Sequence, residues 1–310
     1  MTGPALTLDG LTKSFGDLTA VSDLHATVEQ GEVFGLLGPN GAGKTTTIRM
    51  ISGELRPDRG QVLLRGHPLR ASADDRARIG VCPQENVLWD KLTCREQLEF
   101  TGRMYGLSRP LARRRADDLL EELGLVEKAR ARGGALSGGQ RRRLSIALAL
   151  VHEPELVILD EPSAGLDPQS RALVRDVVRS RARVASVVLT THDMDEADRL
   201  SDRVAVVDRG RLLACGPPAE LRSRLGGGVV ELRFFGGGED AAVAALSTVP
   251  DLAVQAGPGL VSVRTDRPST VLPGLLAALD ERGAPADEVR LRSPSLEDVF
   301  LELTGRSLRS

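Results

Sequence analysis

A chain of 310 residues with 41% hydrophobic residues is long enough for one large core and a second smaller one, so two domains are expected. A formal net charge of -2 supplies no overall basic field, which disfavours nucleic acid as a partner, and no apolar run approaches the roughly 18 residues that a membrane-spanning helix needs. Cys82, Cys94 and Cys215 stand far apart without a CxxC pair, and the N-terminus lacks a basic stretch followed by an apolar core, which together fit a soluble or peripheral protein in a reducing cytosol.

From Leu6 to about Pro217, short apolar runs alternate with helical patterns. Val33–Leu37, Val157–Leu159, Val187–Leu189 and Val204–Val207 read as strands buried on both faces of a helix-covered sheet, an α/β architecture. Directly after the first of them comes Gly38-Pro39-Asn40-Gly41-Ala42-Gly43-Lys44-Thr45, succeeded by the helical run Thr46 to Ile51. This matches G-x-x-x-x-G-K-[ST]. Its glycines let backbone N–H groups face the α- and β-phosphates of a nucleotide, Lys44 brings a movable charge to the β- and γ-phosphates, and the Thr45 hydroxyl can ligate Mg²⁺. The plainer alternative is a strand-turn-helix that merely uses glycine. Strand, glycines, lysine and helix all standing in the right order argue against it.

Residues from roughly 92 to 130 are rich in Leu, Arg and Glu and read as a helical insertion, which the helix expected after Gly139 extends to about 145. That helix opens on Leu136-Ser137-Gly138-Gly139-Gln140, where small residues leave backbone N–H groups bare at a helix start, a second anion site. Taken alone it could equally be a Ser-capped helix behind a glycine turn. The runs Arg113–Arg115 and Arg141–Arg143 lie near acidic residues at helical spacing and read as solvated, ion-pairing faces. Leu156–Glu161 is an apolar strand ending in two carboxylates. Neighbours on a strand point to opposite faces, so Asp160 is assigned to the Mg²⁺ sphere and Glu161 to polarising an attacking water.

A linker is expected over 218–228, and beyond it a small domain over 229–310. Its pattern of strand, helix 239–247, strand near 251–256, strand 260–265, helix 269–282 and strand 287–292 suggests a split βαβ arrangement.

Leu136–Gln140 with the adjoining Arg141-Arg142-Arg143-Leu144-Ser145-Ile146-Ala147 resembles the signature sequence of the ATP-binding cassette superfamily, and the motifs match over about residues 6–216. The resemblance implies a P-loop NTPase sheet of that type, in which Ser137, Gly138, Gly139 and Gln140 face the ATP held by a partner subunit's Lys44. It also implies that Gln84 contacts Mg²⁺ and links the site to a membrane partner, that His192 contacts the γ-phosphate, and that Asp167 lies on a loop along the dimer interface. Phe15 stands where the family usually has a tyrosine stacking on adenine. Val21, Gly38, Pro39, Asn40, Gly41, Ala42, Gly43, Lys44, Thr45 and Thr46 complete the nucleotide-binding set. Glu161, His192 and Lys44 are then the catalytic residues, and Thr45, Gln84 and Asp160 the metal ligands.

The end of the chain, Ser295–Gly305, is similar to that of exporter ATPases of the daunorubicin/doxorubicin-resistance type. The resemblance implies ATP hydrolysis with Mg²⁺ by a homodimer, or a dimer with a close paralogue, on the cytoplasmic face of a membrane. The dimer would drive a separately encoded ABC-2-type permease through an apolar patch at Val87, Leu88, Trp89 and Leu92. An importer ATPase is the alternative. A soluble non-transport cassette protein fits less well, since it would call for tandem cassettes or a long coiled coil.

Overall fold

A strand with an apolar residue at every position has to be covered on both sides, and the packing obeys that demand. The computed structural model describes residues 3–70, 72–247 and 252–305. β1 (Leu6–Phe15) and β2 (Leu18–Val28) form a hairpin, and β3 (Val33–Leu37), buried throughout, runs through the glycine loop into α1 (Lys44–Ile51). β4 (Arg59–Leu64) and β5 (His67–Pro68) complete an antiparallel sheet in the order β2-β1-β4-β5. α2 (Ala73–Ala77) precedes β6 (Ile79–Cys82). The chain then leaves the sheet for α3 (Cys94–Met104) and α4 (Arg109–Glu122), and α5 (Gly138–Leu150) brings it back to β7 (Leu156–Asp160). The alternation resumes with α6 (Pro168–Ala182), β8 (Ser186–Thr191), α7 (Met194–Leu200), β9 (Arg203–Asp208) and β10 (Arg211–Gly216).

β6, β7, β8, β3 and β9 lie parallel, with β10 added antiparallel at the edge, in the order β10-β9-β3-β8-β7-β6. Successive residues of β7 feed opposite cores: Leu156 and Ile158 pack with Phe34, Ile48 and Val188, whereas Val157 and Leu159 pack with Leu144, Val174 and Leu189. Each such side chain contributes roughly 1.5–3 kcal/mol by leaving water, so packing on both faces holds the sheet together. Because the strands are parallel, the loops after β3, β6, β7 and β8 all emerge at one edge. These four loops carry Lys44, Gln84, Glu161 and His192.

Two sequence expectations change here. The helix expected from about Gln140 begins at Gly138, because Ser137 is its N-cap: its Oγ accepts the Gln140 N–H at 3.4 Å while Gln140 Oε1 accepts the Ser137 N–H at 3.0 Å. The arginine runs are only partly solvated. Arg113 and Arg114 are exposed, but Arg115 packs beside Glu153, Arg143 donates to the Leu123 carbonyl at 2.9 Å, and Arg142 is buried at 3% exposure. Three consecutive helical residues span about 200° of the helix surface, so a run of three cannot all face water on a helix packed on one side.

The described chain divides into two compact units, meeting between Pro218 and Ala219. The stretch read as a linker begins with a helix, α8 (Pro218–Ser223). Then come β11 (Gly228–Arg233), α9 (Glu239–Leu246), β12 (Ala253–Gly257), β13 (Leu260–Thr265), α10 (Pro268–Glu281), β14 (Glu288–Arg292) and α11 (Leu296–Thr304). The four strands pair antiparallel in the order β12-β13-β11-β14, and Val230, Leu232, Val261 and Val263 pack with Ala242, Leu246, Leu275 and Leu279 of α9 and α10. Residue 251 and residues 306–310, parts of the expected strand and domain, lie outside the described residues.

Candidate nucleotide site

The glycine loop is shaped by contacts that exclude side chains. A Cβ on Gly38 would stand 2.2 Å from the Val207 carbonyl oxygen, and one on Gly43 would stand 2.4 Å from that of Ala20. Gly43 also sits at φ 100° and Gly41 at φ 81°, backbone states that L-residues rarely adopt. The loop thereby turns tightly enough for Lys44 Nζ to donate back to the carbonyls of Gly38 at 2.7 Å and Pro39 at 3.0 Å. Burial pulls the Lys44 ammonium below its usual pKa range, and the charges of Glu161 and Asp160 oppose that shift. Both carboxylates are thus within electrostatic reach of the lysine. Thr45 is exposed on the first turn of α1, and Thr46 is half-buried.

Glu161 does not continue the strand. It adopts φ 51°, a left-handed turn, so the alternation of strand side chains does not set how Asp160 and Glu161 are placed relative to each other. Such strain persists where surrounding bonds over-determine it. Here the Glu161 N–H donates to Thr190 Oγ1 at 3.0 Å and to the Thr190 carbonyl at 3.1 Å, and the Thr190 hydroxyl donates to the Asp160 carboxylate. The Glu161 side chain is met from two loops: Gln84 Nε2 donates to Oε2 at 3.3 Å, and His192 Nδ1 lies 2.9 Å from Oε1. The loops after β6 and β8 therefore meet on the carboxylate carried by the loop after β7, with the Lys44 charge in electrostatic reach.

A second group forms around the start of α5. Gly139 lies beside the Asp167–Ser170 turn, whose Asp167 caps α6 by accepting the Ser170 N–H at 2.9 Å and the Ser170 hydroxyl at 2.7 Å. Those bonds, the backbone one first, hold the Asp167 carboxyl below the usual carboxylate range. Gln140 spends its side chain on the Ser137 cap. Phe15 is 47% exposed near the tip of the β1–β2 hairpin, with Lys13 Nζ 5.8 Å from its ring centre, so its face is open to a stacking partner. Val21 is buried at 1% exposure, with a methyl against the Gly43 turn at the foot of the cradle.

Several residues that shape the site were not foreseen. Thr190, which bonds the Asp160 carboxylate and the Glu161 main chain, stands near the end of an apolar strand, and a hydroxyl in that position was the available signal. Gln97 is fully buried on α3 and grips the loop after Gln84: it accepts the Trp89 N–H at 3.1 Å and donates to the Trp89 and Leu92 carbonyls at 3.1 Å each. Its signal is a polar residue on the buried 94–97–98 face of α3. Glu196 accepts the Thr191 hydroxyl at 2.5 Å, and burial pushes its carboxyl above the usual range. Of the apolar patch, Val87 (73%) and Trp89 (45%) are exposed while Leu88 and Leu92 are half-buried. The patch extends to Phe100 on α3, whose ring meets Trp89 edge-on at 5.5 Å.

Comparison with known proteins decides the family. A model described as ABC transporter matches residues 21–164, one described as "ATP-binding protein DrrA1-3-like, C-terminal domain" matches 216–304, and an AAA-domain model matches 134–198, overlapping the first over 134–164. The chain is 42% identical to the daunorubicin resistance ATP-binding protein DrrA3 of Streptomyces coeruleorubidus, over 100% of this chain and 98% of that protein. The chain belongs to the ABC transporter ATP-binding subunits. It is accordingly an ATPase, and ATP is its nucleotide. The linearmycin resistance ATP-binding protein LnrL of Bacillus subtilis is 38% identical over 98% of this chain and 99% of its own, and a Nod factor export ATP-binding protein I of Ralstonia nicotianae 41% identical over 99% and 95%. Among solved structures, an ATP binding subunit of an ABC transporter superposes with a TM-score of 0.66 at 31% identity, covering 71% of this chain and 92% of that one. The cbiO1 structure from Clostridium perfringens, part of the transporter complex cbiONQ, gives 0.65 at 29%, covering 70% and 90%. No helix among the described residues is long and apolar enough to cross a membrane.

Proposed function

We propose that this ABC ATPase works as a homodimer clamped around two ATP molecules and drives export of a drug-like or lipid-like cargo through a separately encoded ABC-2-type permease, on the cytoplasmic face of the membrane. One observation carries the clamp: each chain presents two partial anion sites on different elements, the Lys44 cradle and the Ser137-capped start of α5. A head-to-tail pair places one copy's Ser137–Gly139 N–H groups against the γ-phosphate held by the other copy's Lys44. Phe15 stacks on the adenine, and Asp167 lines the interface between subunits.

The residues near the cradle suit Mg²⁺ held largely by phosphate oxygens and water. Among the described residues no cluster of three His, Cys, Asp or Glu side chains could enclose a metal by itself, while a hydroxyl at Thr45, an amide at Gln84 and a carboxylate at Asp160 supply the few protein ligands such a site needs. Bound there, Mg²⁺ neutralises phosphate charge. Glu161 orients the attacking water and accepts its proton, and His192, carried on the loop after β8, contacts the γ-phosphate and holds the Glu161 carboxylate in line.

The exporter reading draws support from the C-terminal match over 216–304 and from relatives named for drug resistance and Nod factor export. The exposed Val87, Trp89 and Phe100, lying beyond Gln84, form the surface for the permease. The decisive experiment is Glu161→Gln in the full-length chain. We expect it to bind ATP, to accumulate a dimer by light scattering, and to hydrolyse at least about a hundredfold more slowly. Hydrolysis at the parental rate would sink the assignment of Glu161, and a chain that stays monomeric at saturating ATP and magnesium would sink the clamp.

A further inference from the structure

The signature helix and the catalytic loops meet at one buried cation. Arg142 rises from α5 five residues after the Ser137 cap, is 3% exposed, and sends its fork into main-chain carbonyls. Nε donates to the Pro162 carbonyl at 3.2 Å and Nη1 to that of Gln84 at 3.3 Å. Nη1 also donates to the Pro83 carbonyl, and Nη2 to that of Asp160. These carbonyls belong to two of the four loops at the site edge, those after β6 and β7.

We propose that Arg142 is a positioning residue that couples the signature helix to the catalytic loops of its own subunit, so that docking of Ser137–Gly139 on a partner's nucleotide is transmitted to Gln84, Asp160 and Glu161. This coupling rests on the clamped-dimer reading. Two features give it its direction. Glu161 stands between two carbonyls that the guanidinium grips, those of Asp160 and Pro162, and it is the residue held at φ 51°. The grip on one side and the Thr190 bonds on the other fix that turn, so a shift of the fork moves the catalytic carboxylate directly. Gln84, whose amide reaches Glu161, is held by its own carbonyl through the same guanidinium.

The chemistry requires arginine. A planar fork of five donors reaches four carbonyls on diverging vectors, which a lysine ammonium on a flexible stem cannot span together. Met at this position would leave the Pro83, Gln84, Asp160 and Pro162 carbonyls without this donor, so Arg142→Met is expected to lower stability in either role, and stability alone does not separate them. Loss of a purely structural residue would lower stability while leaving the kcat of the folded protein and the nucleotide protection of the loops unchanged, whereas loss of a coupling residue would change both.

The test uses the full-length chain carrying Arg142→Met, with Arg142→Lys as a charge-keeping second variant should the first fail to fold. ATP hydrolysis is measured against ATP concentration, and amide hydrogen exchange is measured in the Glu161→Gln background with ATP and magnesium. We expect kcat to fall about tenfold to a hundredfold while KM for ATP stays within about threefold, because the Lys44 cradle is untouched. In exchange, nucleotide should still protect residues 137–140 of the double variant but no longer residues 84–86 and 160–163. A kcat within about threefold of the parent, or protection of all three segments as in Glu161→Gln alone, would overturn the proposal. Failure of Glu161→Gln itself to form a dimer would overturn the clamp reading instead, so the two failures are distinct.

Discussion

At the level of single residues the site depends on backbone states that side chains forbid, and the glycine loop shows how to separate the causes. Gly41 and Gly43 both have positive φ, but a Cβ on Gly41 would meet nothing within 4 Å whereas one on Gly43 would press on the Ala20 carbonyl. Gly41→Ala should therefore cost only the conformational strain, on the order of 1 kcal/mol, and weaken ATP binding by about tenfold or less. Gly43→Ala adds a main-chain clash to that strain and should weaken binding by well over tenfold, the two being compared by titration with a fluorescent ATP analogue. Equal effects would mean that conformational strain, not close approach, sets the shape of the cradle. The residues of this loop were legible because the motif names its own physics: glycine where no Cβ fits, lysine where phosphate charge sits. Thr190 and Arg142 were not. Their roles depend on which main-chain groups they reach, and those groups come together only when β6, β7 and β8 are laid side by side.

At the level of elements, apolar patterning gave β3, β7, β8, β9 and the strands of the second unit, because burial on one or both faces leaves a repeat in the sequence, whereas β1, β2, β4, β5, β6 and β10 were not read from it. The Arg141–Arg143 run misled for a related reason: charge suggested solvent, while the helical period dictated that one of the three would point inward. The loop after Gln84 obeys the same logic. Its apolar residues were visible in the sequence, but the Gln97 grip from α3 was not, and that grip sets how Trp89 is displayed. Gln97→Leu strands the Trp89 N–H and two carbonyls, and should destabilise the fold by roughly 2 kcal/mol or more, seen as a lower midpoint in urea. Trp89→Ala removes a half-exposed ring and should change that midpoint far less. Reconstituted with the membrane partner, Trp89→Ala should instead reduce transport per ATP while basal hydrolysis persists. Loss of hydrolysis with transport per ATP retained would remove Trp89 from the coupling surface.

At the level of the whole molecule, the boundary near 218 separates cores that share no residue. The clusters on the two faces of the large sheet draw on residues 6–215, whereas the C-terminal cluster draws on residues 230–289. Every residue placed at the nucleotide lies in the first unit. A second unit with its own sheet and its own buried layer has the means to unfold as a separate cooperative block. Ligand that binds only the first unit then stabilises only the first, by mass action. Calorimetry of the full chain should accordingly show two transitions, of which ATP with magnesium raises one and leaves the other within about 1 °C. A chain ending after Leu225 should retain the nucleotide-sensitive transition and bind ATP within about threefold of the parent, since no side chain assigned to the cradle is removed. A single transition that nucleotide shifts as a whole would show that the C-terminal unit is energetically part of the ATPase, and loss of ATP binding in the shortened chain would show that it shapes the cradle itself.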